Sequence, residues 1–311
     1  MCGIAGVYQS SGLPVDKLRL EKMTHSLAHR GPDGSGVFLD RQIGLGHRRL
    51  SIIDPSQGHQ PMVNVDSSIA ISFNGEIYNY KELRAELKGM GYLFRTDSDT
   101  EVVLHAYDAW DVQCQSRFNG MWALAIWDGR ARRLFLSRDR VGEKPLFYAE
   151  HGGELLFASE PKALFAYGYP AKLDTEQLEI YLMLGYVPAP YSFFMGMRKL
   201  EAGQYMLVTE KGMSQHRYWE FPQAPESEMR TDRRNILEEF EYLLGDSVRL
   251  RMRSDVPFGA FLSGGLDSSS IVALMRQHSD DVSTFTIGFE EKAFDERELA
   301  RLVARKFGTN H

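Results

Sequence analysis

Cysteine is nearly absent from this chain: Cys2 and Cys114 are the only two in 311 residues. Two thiols cannot build a disulfide framework, and no Cys/His cluster has zinc-finger spacing. No apolar run is long enough to suggest a membrane span. The opening stretch MCGIAGVYQS lacks the basic-then-apolar pattern of a secretory leader, so none is expected. Positive charge is not in excess either. The formal charge of -6 argues against a nucleic-acid binder or a polybasic membrane ligand. Internal repeats and low-complexity segments are also missing. These absences predict a cytoplasmic, reducing setting in which Cys2 stays a thiol. What remains is 43% hydrophobic and 25% charged residues, the balance of a globular protein of one large domain or two ordinary ones.

Up to about residue 215 the chain is rich in short strand-like runs: GIAGVY (3–8), GVFLD (36–40), IAISF (69–73), MWALAIWD (121–128), RLFLSRD (133–139) and ELLFAS (154–159). HGG at 151–153 reads as a hairpin turn. Helical periodicity marks 16–28, 81–90 and 101–110. Strands with helices between them predict sheets covered by helices. FPQAPESEMRTD (221–232) has prolines and charges but no apolar period, and reads as a linker. The pattern then changes. An amphipathic helix over 235–252, with Ile236, Phe240, Leu243, Leu244 and Val248 on its apolar side, precedes a buried strand VPFGAFL (256–262). SGGLDSSS and a helix follow, then a second buried strand VSTFTIGF (282–289) and a helix over 294–308. Strand–helix–strand–helix begins a parallel α/β sheet. The expected division is a first domain over 2–215, a linker over 216–232, and over 233–311 the truncated start of a second domain, since two parallel strands are not stable alone.

Four stretches carry candidate chemistry. If Met1 is removed, Cys2 places a thiol and a free α-amine in one residue. An α-amine titrates near ~8 and can accept a thiol proton. NGEIYNY (74–80) offers Asn74 and Gly75 as oxyanion donors at a strand end, although Asn-Gly is also the commonest turn pair. HRGPDGSG (29–36) and GHRRLSIID (46–54) hold arginines able to clamp a carboxylate. TDSDTE (96–101) places carboxylates before a helix, as caps or as ligands of an ammonium group. SGGLDSS (263–269) lies between a strand and a helix. Gly264 and Gly265 admit a ligand to the backbone, and the helix start offers N–H groups to an anion. A capped glycine turn is the plainer alternative. RDRVGEKPLFY (138–148) reads as a loop feeding an edge strand. His47, His59, His105 and Cys114 read as structural.

Taken in order, MCGIAG, HRGPDG, RRLSIID, FNGEIYNY, SDTE, SRDRVGEKPLFY and LSGGLDSS resemble the glutamine-hydrolysing asparagine synthetases from residue 2 to the last residue. The resemblance implies two centres. The first is a class II glutamine amidotransferase domain, an αββα sandwich of the N-terminal-nucleophile (Ntn) hydrolase fold. There Cys2 attacks the glutamine amide, with its own α-amine as base. Asn74 and Gly75 form the oxyanion hole, Arg49 grips the substrate carboxylate, and Asp99 takes the ammonium with Glu76 beside it. The second is an ATP-pyrophosphatase-type synthetase domain, a parallel nucleotide-binding sheet. Ser263, Gly264, Gly265, Asp267, Ser268 and Ser269 match its pyrophosphate loop, and Leu262 and Ile287 its nucleotide pocket. The implied cofactors are ATP and Mg²⁺, the latter as Mg-ATP with no protein metal ligand assigned. The implied partners are glutamine, ATP, aspartate or another carboxylate acceptor, and a second copy in a homodimer. The resemblance thus implies an enzyme, a carbon–nitrogen ligase of asparagine biosynthesis. The chain by itself is expected to be a glutaminase at most. An amidotransferase acting on another carboxylate and a non-catalytic fragment are the alternatives.

Overall fold

Strand β1 (Gly3–Gln9) has apolar side chains on both faces: Ile4 and Tyr8 pack on one side, Ala5 and Val7 on the other. Side chains alternate along a strand, so such a segment needs a covering layer on each face. The computed structural model, which describes residues 1–223, 225 and 230–311, provides both layers. After β1 come α1 (Lys17–His25), β2 (Gly34–Asp40), β3 (Ile43–Arg49), β4 (Met62–Val63), β5 (Ile69–Ile77), α2 (Tyr80–Gly89) and α3 (Asp99–Trp110). A 3-10 stretch over Asp111–Arg117 leads to β6 (Gly120–Asp128), β7 (Arg133–Arg138), β8 (Phe147–His151), β9 (Glu154–Ala158), α4 (Pro161–Tyr167) and α5 (Glu176–Leu184). The short β10 (Arg198–Lys199) and the hairpin of β11 (Gln204–Thr209) and β12 (Gly212–Arg217) complete this part.

The strands form two six-stranded sheets, ordered β10-β8-β9-β1-β3-β2 and β12-β11-β7-β6-β5-β4. Ile4, Ile43 and Leu45 of the first meet Ala123, Ala125, Leu134 and Leu136 of the second in the layer between them. Leu20 and Met23 of α1 and Leu164 of α4 cover the outer face of the first sheet at Ala5, Val7 and Leu156. Leu83 and Leu87 of α2 and Val102, Val103 and Ala106 of α3 cover the second at Ile71, Phe73 and Leu124. This is the expected αββα sandwich. The layer between the sheets also holds a polar pair, His47 Nδ1 with Ser72 Oγ at 3.1 Å. Burial first, then Arg49 and Arg48, pushes the His47 pKa down to about 3, so the ring is neutral. His105 packs between the rings of Tyr92 and Phe94, 3.7 Å from Glu101 one turn earlier.

Three local expectations change. Strand β5 does not stop before Asn74. It pairs with β6 without interruption from Ile69 opposite Asp128 to Ile77 opposite Gly120. Asn74 and Gly75 are therefore extended strand and not a turn, because the long β6 continues to supply ladder partners. Strand β8 is not an edge, since β10 pairs with it.

The third change lies in the second compact unit, Pro222–His311. The linker read over 216–232 falls partly outside the described residues. Here α6 (Arg233–Arg251) starts at Asp232, whose carboxylate accepts the N–H groups of Arg234 and Asn235 at 3.1 and 3.3 Å. Strand β13 (Gly259–Phe261), α7 (Leu266–His278), β14 (Ser283–Phe285) and α8 (Arg297–Phe307) follow, and the two strands are parallel. Both strands are shorter than expected and covered on one face. Ala260 and Leu262 pack against the helices, whereas Phe261 and Phe285 are 78% and 56% exposed. On α6, Leu244 and Val248 are packed, but Ile236, Phe240 and Leu243 are exposed.

Candidate active site

Cys2 stands one residue before β1, and its position is fixed from two sides. The N–H of Leu50 donates to Cys2 Sγ at 3.4 Å, and the thiol faces Leu50 O at 3.6 Å. Arg30 Nε donates to Cys2 O at 2.8 Å, and Arg30 is in turn paired with Glu160 at 2.8 Å. Burial pushes the Cys2 thiol above its ordinary pKa, while the Leu50 N–H, the chain's amino group and Arg49 pull it down. Burial pushes the amine of Met1 below its ordinary value; the Cys2 thiol opposes this, and Arg30 and Lys144 add to it. The thiol is therefore mostly protonated at neutral pH and needs a base, and the amine is a weaker cation than usual.

Cys2 opens onto a cavity of about 110 Å³ whose walls include Arg49, Asn74, Gly75, Glu76, Asp99 and Lys144. Cys2 and the five residues that the resemblance names beside it in the first domain thus line one space. Asn74 is 1% exposed, and its Nδ2 has no hydrogen-bond partner. An unpartnered buried amide costs roughly 1–3 kcal/mol. Gly75 admits no side chain: a Cβ would lie 2.3 Å from Met121 O. Asp99 is the first residue of α3. Its carboxylate accepts the Ile77 N–H at 3.0 Å, while Ser98 caps the helix. Burial pushes the Asp99 pKa up to about 6, against the N–H groups of Ile77, Thr100 and Asp99 itself and the charge of Arg49.

Arg49 ends β3 with its guanidinium among backbone carbonyls. Nη1 donates to Pro55 O at 2.9 Å, and Nη2 to Ile53 O at 3.0 Å and Asp54 O at 2.6 Å. Of five N–H donors these use three, leaving Nε and one Nη1 hydrogen for a ligand. Several supporting residues escape sequence reasoning. Gly58 lets the guanidinium lie flat on the loop, since a Cβ there would be 2.3 Å from Arg49 Nη2. Asp54 closes the same loop by accepting the N–H of Gln57 at 3.0 Å and ties it to the segment before α3 by accepting that of Asp97 at 2.8 Å. Gln60 accepts the N–H of Phe73 at 2.7 Å and donates to Phe73 O at 3.1 Å, standing in for a strand next to β5. No local pattern announces Gln60. Gly58 and Asp54 leave only a turn signal.

In the second unit, residues 262–265 join β13 to α7 at the C-terminal end of the parallel pair, and 266–269 form the first turn of α7. Leu262 is buried and donates its N–H to Phe285 O at 2.8 Å. Ser263 Oγ lies 2.9 Å from Ser268 Oγ and accepts the Gly265 N–H at 3.3 Å. Gly264 has a left-handed φ of 82° and is packed against Leu299, which excludes any side chain. Asp267 lies in the first turn of α7 and is exposed. Ser269 Oγ is buried with no partner. Ile287, just past β14, is exposed. A glycine-kinked loop with an unpaired hydroxyl at a helix start fits a phosphate group. Among the described residues no group of three or more His, Cys, Asp or Glu side chains is arranged to hold a metal ion.

Comparison with known proteins agrees with this geometry. The family described as glutamine amidotransferase domain matches residues 1–219, and the asparagine synthase family matches residues 239–311. The chain is 41% identical to the putative asparagine synthetase [glutamine-hydrolyzing] 2 of Methanocaldococcus jannaschii, over 100% of this chain and 64% of that protein. It is 39% identical to asparagine synthetase [glutamine-hydrolyzing] 1 of Bacillus subtilis, over 99% of this chain and 49% of that protein. A fungal relative, amidase chry2 of Gibberella zeae, is 32% identical over 94% of this chain and 46% of that protein. The chain thus spans about half to two thirds of the length of these curated relatives. Among solved structures, the glutamine phosphoribosylpyrophosphate amidotransferase of B. subtilis shares the fold, with a TM-score of 0.55 at 18% identity, covering 94% of this chain and 68% of that one. With the first family matched across most of its length and the second directly behind, the chain belongs to the glutamine amidotransferase family, in the form that carries an asparagine synthase region.

Proposed function

We propose that this chain hydrolyses glutamine to glutamate and ammonia with Cys2 as the nucleophile. The observation that carries the reading is the unpartnered, buried Asn74 amide in the cavity that also holds Cys2, Arg49 and Asp99. With Met1 removed, the Cys2 amine accepts the thiol proton as sulfur attacks the amide carbon. The oxyanion that forms lies against Asn74 Nδ2 and the Gly75 backbone. One such donor is commonly worth roughly 3–4 kcal/mol of transition-state stabilisation. The amine returns the proton to the leaving nitrogen, ammonia departs, and water resolves the thioester to glutamate. Arg49 binds the substrate carboxylate through its charge and one remaining donor, and Asp99 binds the ammonium with Glu76 adjacent.

In the longer protein, we infer that this ammonia is passed to an activated aspartate, giving asparagine. Leu262, Ser263, Gly264, Gly265, Asp267, Ser268, Ser269 and Ile287 are the residues proposed to hold ATP, which brings Mg²⁺ with it and supplies activation of the acceptor carboxylate. We read 2–215 as the glutaminase domain, 216–232 as a linker and 233–311 as the beginning of the synthetase domain. The proposed setting is the cytoplasm, and the proposed assembly a homodimer. No helix among the described residues is long and apolar enough to cross a membrane. Amidation of a different carboxylate is the second reading.

The test is glutamate release from glutamine by the purified chain, with intact mass recorded. Cys2→Ala should abolish release, and chain that retains Met1 should be nearly inactive. Asn74→Ala should lower kcat roughly 10²–10³-fold with little change in KM. Release that persists in Cys2→Ala would refute the proposal. Addition of ATP and aspartate should give no AMP at an ordinary enzyme rate.

A further inference from the structure

The loop within RDRVGEKPLFY is held more tightly than an ordinary connection requires. Asp139 is fully buried, and its carboxylate accepts four backbone N–H groups: Trp122 at 3.2 Å, Val141 at 3.2 Å, Glu143 at 2.9 Å and Lys144 at 3.0 Å. Arg138 binds from the other side, donating to Lys144 O at 2.8 Å, Gly142 O at 2.7 Å and Leu200 O at 2.7 Å. Asp139 with four N–H groups and Arg138 with three carbonyls therefore fix six residues. What they deliver is Lys144, which is 7% exposed and lines the Cys2 cavity. Its Nζ lies 3.6 Å from the Met1 thioether, a weak acceptor, and Arg30 Nη2 lies 3.9 Å from the same sulfur. Removal of Met1 takes that sulfur away and leaves two cations facing the new chain end.

We propose that Lys144 is a positioning residue of the nucleophile: its ammonium walls the cavity so that the N-terminal amine of Cys2 stays in its neutral, proton-accepting form. The inference rests on the glutaminase reading, in which that amine is the base. A cation held in a water-poor cavity disfavours a second cation nearby and costs the neutral amine nothing. The other charged groups around the chain end act in both directions. With Met1 in place, burial lowers the pKa of its amine; the Cys2 thiol and Asp33 favour the protonated form, and Arg30 and Lys144 oppose it. Arg49 and Asp99 act on the thiol. Glu143, Asp139 and Glu76 favour the charged form of Lys144, whereas Arg30 and burial oppose it. Of the two cations that oppose a charged amine there, Arg30 is already engaged by Cys2 O and Glu160, which leaves Lys144, in the wall of the cavity.

The experiment uses residues 2–311 released from a fusion so that Cys2 is the first residue, labelled with ¹³C-cysteine. With only two cysteines, Cys2 and the buried Cys114 give separable signals. The pH titration of the Cys2 signals reports its amine directly, whether or not glutamine is turned over. Lys144→Met and Lys144→Gln should raise the amine midpoint by roughly 0.5 to 1 on the pH scale, and Lys144→Arg should restore it. The acidic limb of the glutaminase pH profile should move with it. An unchanged midpoint in either neutral variant overturns the proposal, even if the rate falls. A moved midpoint in a chain that does not hydrolyse glutamine would uphold Lys144's effect on the amine and defeat the glutaminase reading instead.

Discussion

At the scale of single residues, the site is built from groups that the fold alone would not choose. Asn74 leaves a donor unused, and Asp99 holds a carboxylate where burial disfavours its charge. The sign of the Asp99 effect follows from its two pKa values. The folded-state value is about 6, above the ordinary 3.8, so the folded protein binds the proton more tightly. The cost of holding the charge is present in full above pH 6 and shrinks as pH falls toward 3.8. A gap of that size between the folded and unfolded values corresponds to roughly 3 kcal/mol. Asp99→Asn should therefore melt higher than the parent at pH 7.5, and the difference in melting should narrow between pH 6 and 4. Function should go the other way. An ammonium ligand must be ionised, so the KM for glutamine should rise in the parent as pH drops below about 6. Asp99→Asn should have a raised KM at every pH without that dependence. Paired melting curves and glutamine titrations across this range check both signs. A KM for Asp99→Asn equal to the parent's would remove Asp99 from the substrate site.

At the scale of elements, the loop after β3 shows how a binding arginine is made rigid. Residues 53–55 give carbonyls to Arg49, Asp54 fastens the loop to the segment before α3, and Gly58 leaves room for the guanidinium. Gly58→Ala would set a methyl group 2.3 Å from Arg49 Nη2, inside contact distance, so the guanidinium must shift. A displaced carboxylate clamp weakens ground-state and transition-state binding alike. The KM for glutamine should rise about tenfold or more while kcat changes little, with Gly58→Ser behaving the same way. A fall in kcat at constant KM would mean that the loop serves the nucleophile instead. The same elements mark what the sequence could reveal. Cys2, Arg49, Asn74, Gly75 and Asp99 stand out through the family resemblance, and they line one cavity; residue type alone leaves a turn, a surface ion pair and a helix cap as the plainer readings of the last four. Strands β1, β6 and β9 were legible because a run apolar at every position has few other uses. The extension of β5 through Asn74 was not, because Asn-Gly carries a turn preference that pairing with β6 overrides. Gln60 and Asp139 were not: Gln60 meets the backbone of Phe73 on a separate strand, Asp139 gathers N–H groups from its own loop and from Trp122, and a lone polar residue in a sequence does not say which N–H it will meet.

At the scale of the whole molecule, the two units differ in how complete their cores are. The first unit buries side chains in three layers, between its sheets and beneath helices on both outer faces. Every residue lining the Cys2 cavity falls between Met1 and Lys144, within that unit. The second unit has two small clusters and one covered sheet face, with Phe240, Phe261, Leu266 and Phe285 exposed. Large apolar areas left in water forfeit roughly 25 cal/mol for each Å² that a partner surface would have covered. A two-stranded sheet without cover on both faces is marginal by itself. A chain ending at Phe221 should therefore melt as one cooperative transition and release glutamate from glutamine at a rate close to that of the 311-residue chain. Residues 222–311 alone should bind a hydrophobic dye strongly and unfold without a sharp transition. Calorimetry of the two pieces beside the intact chain separates these behaviours. If the shorter chain is folded but inactive, the second unit is needed to order the glutamine pocket. A sharp transition in the isolated second unit would mean that its exposed faces do not limit its stability.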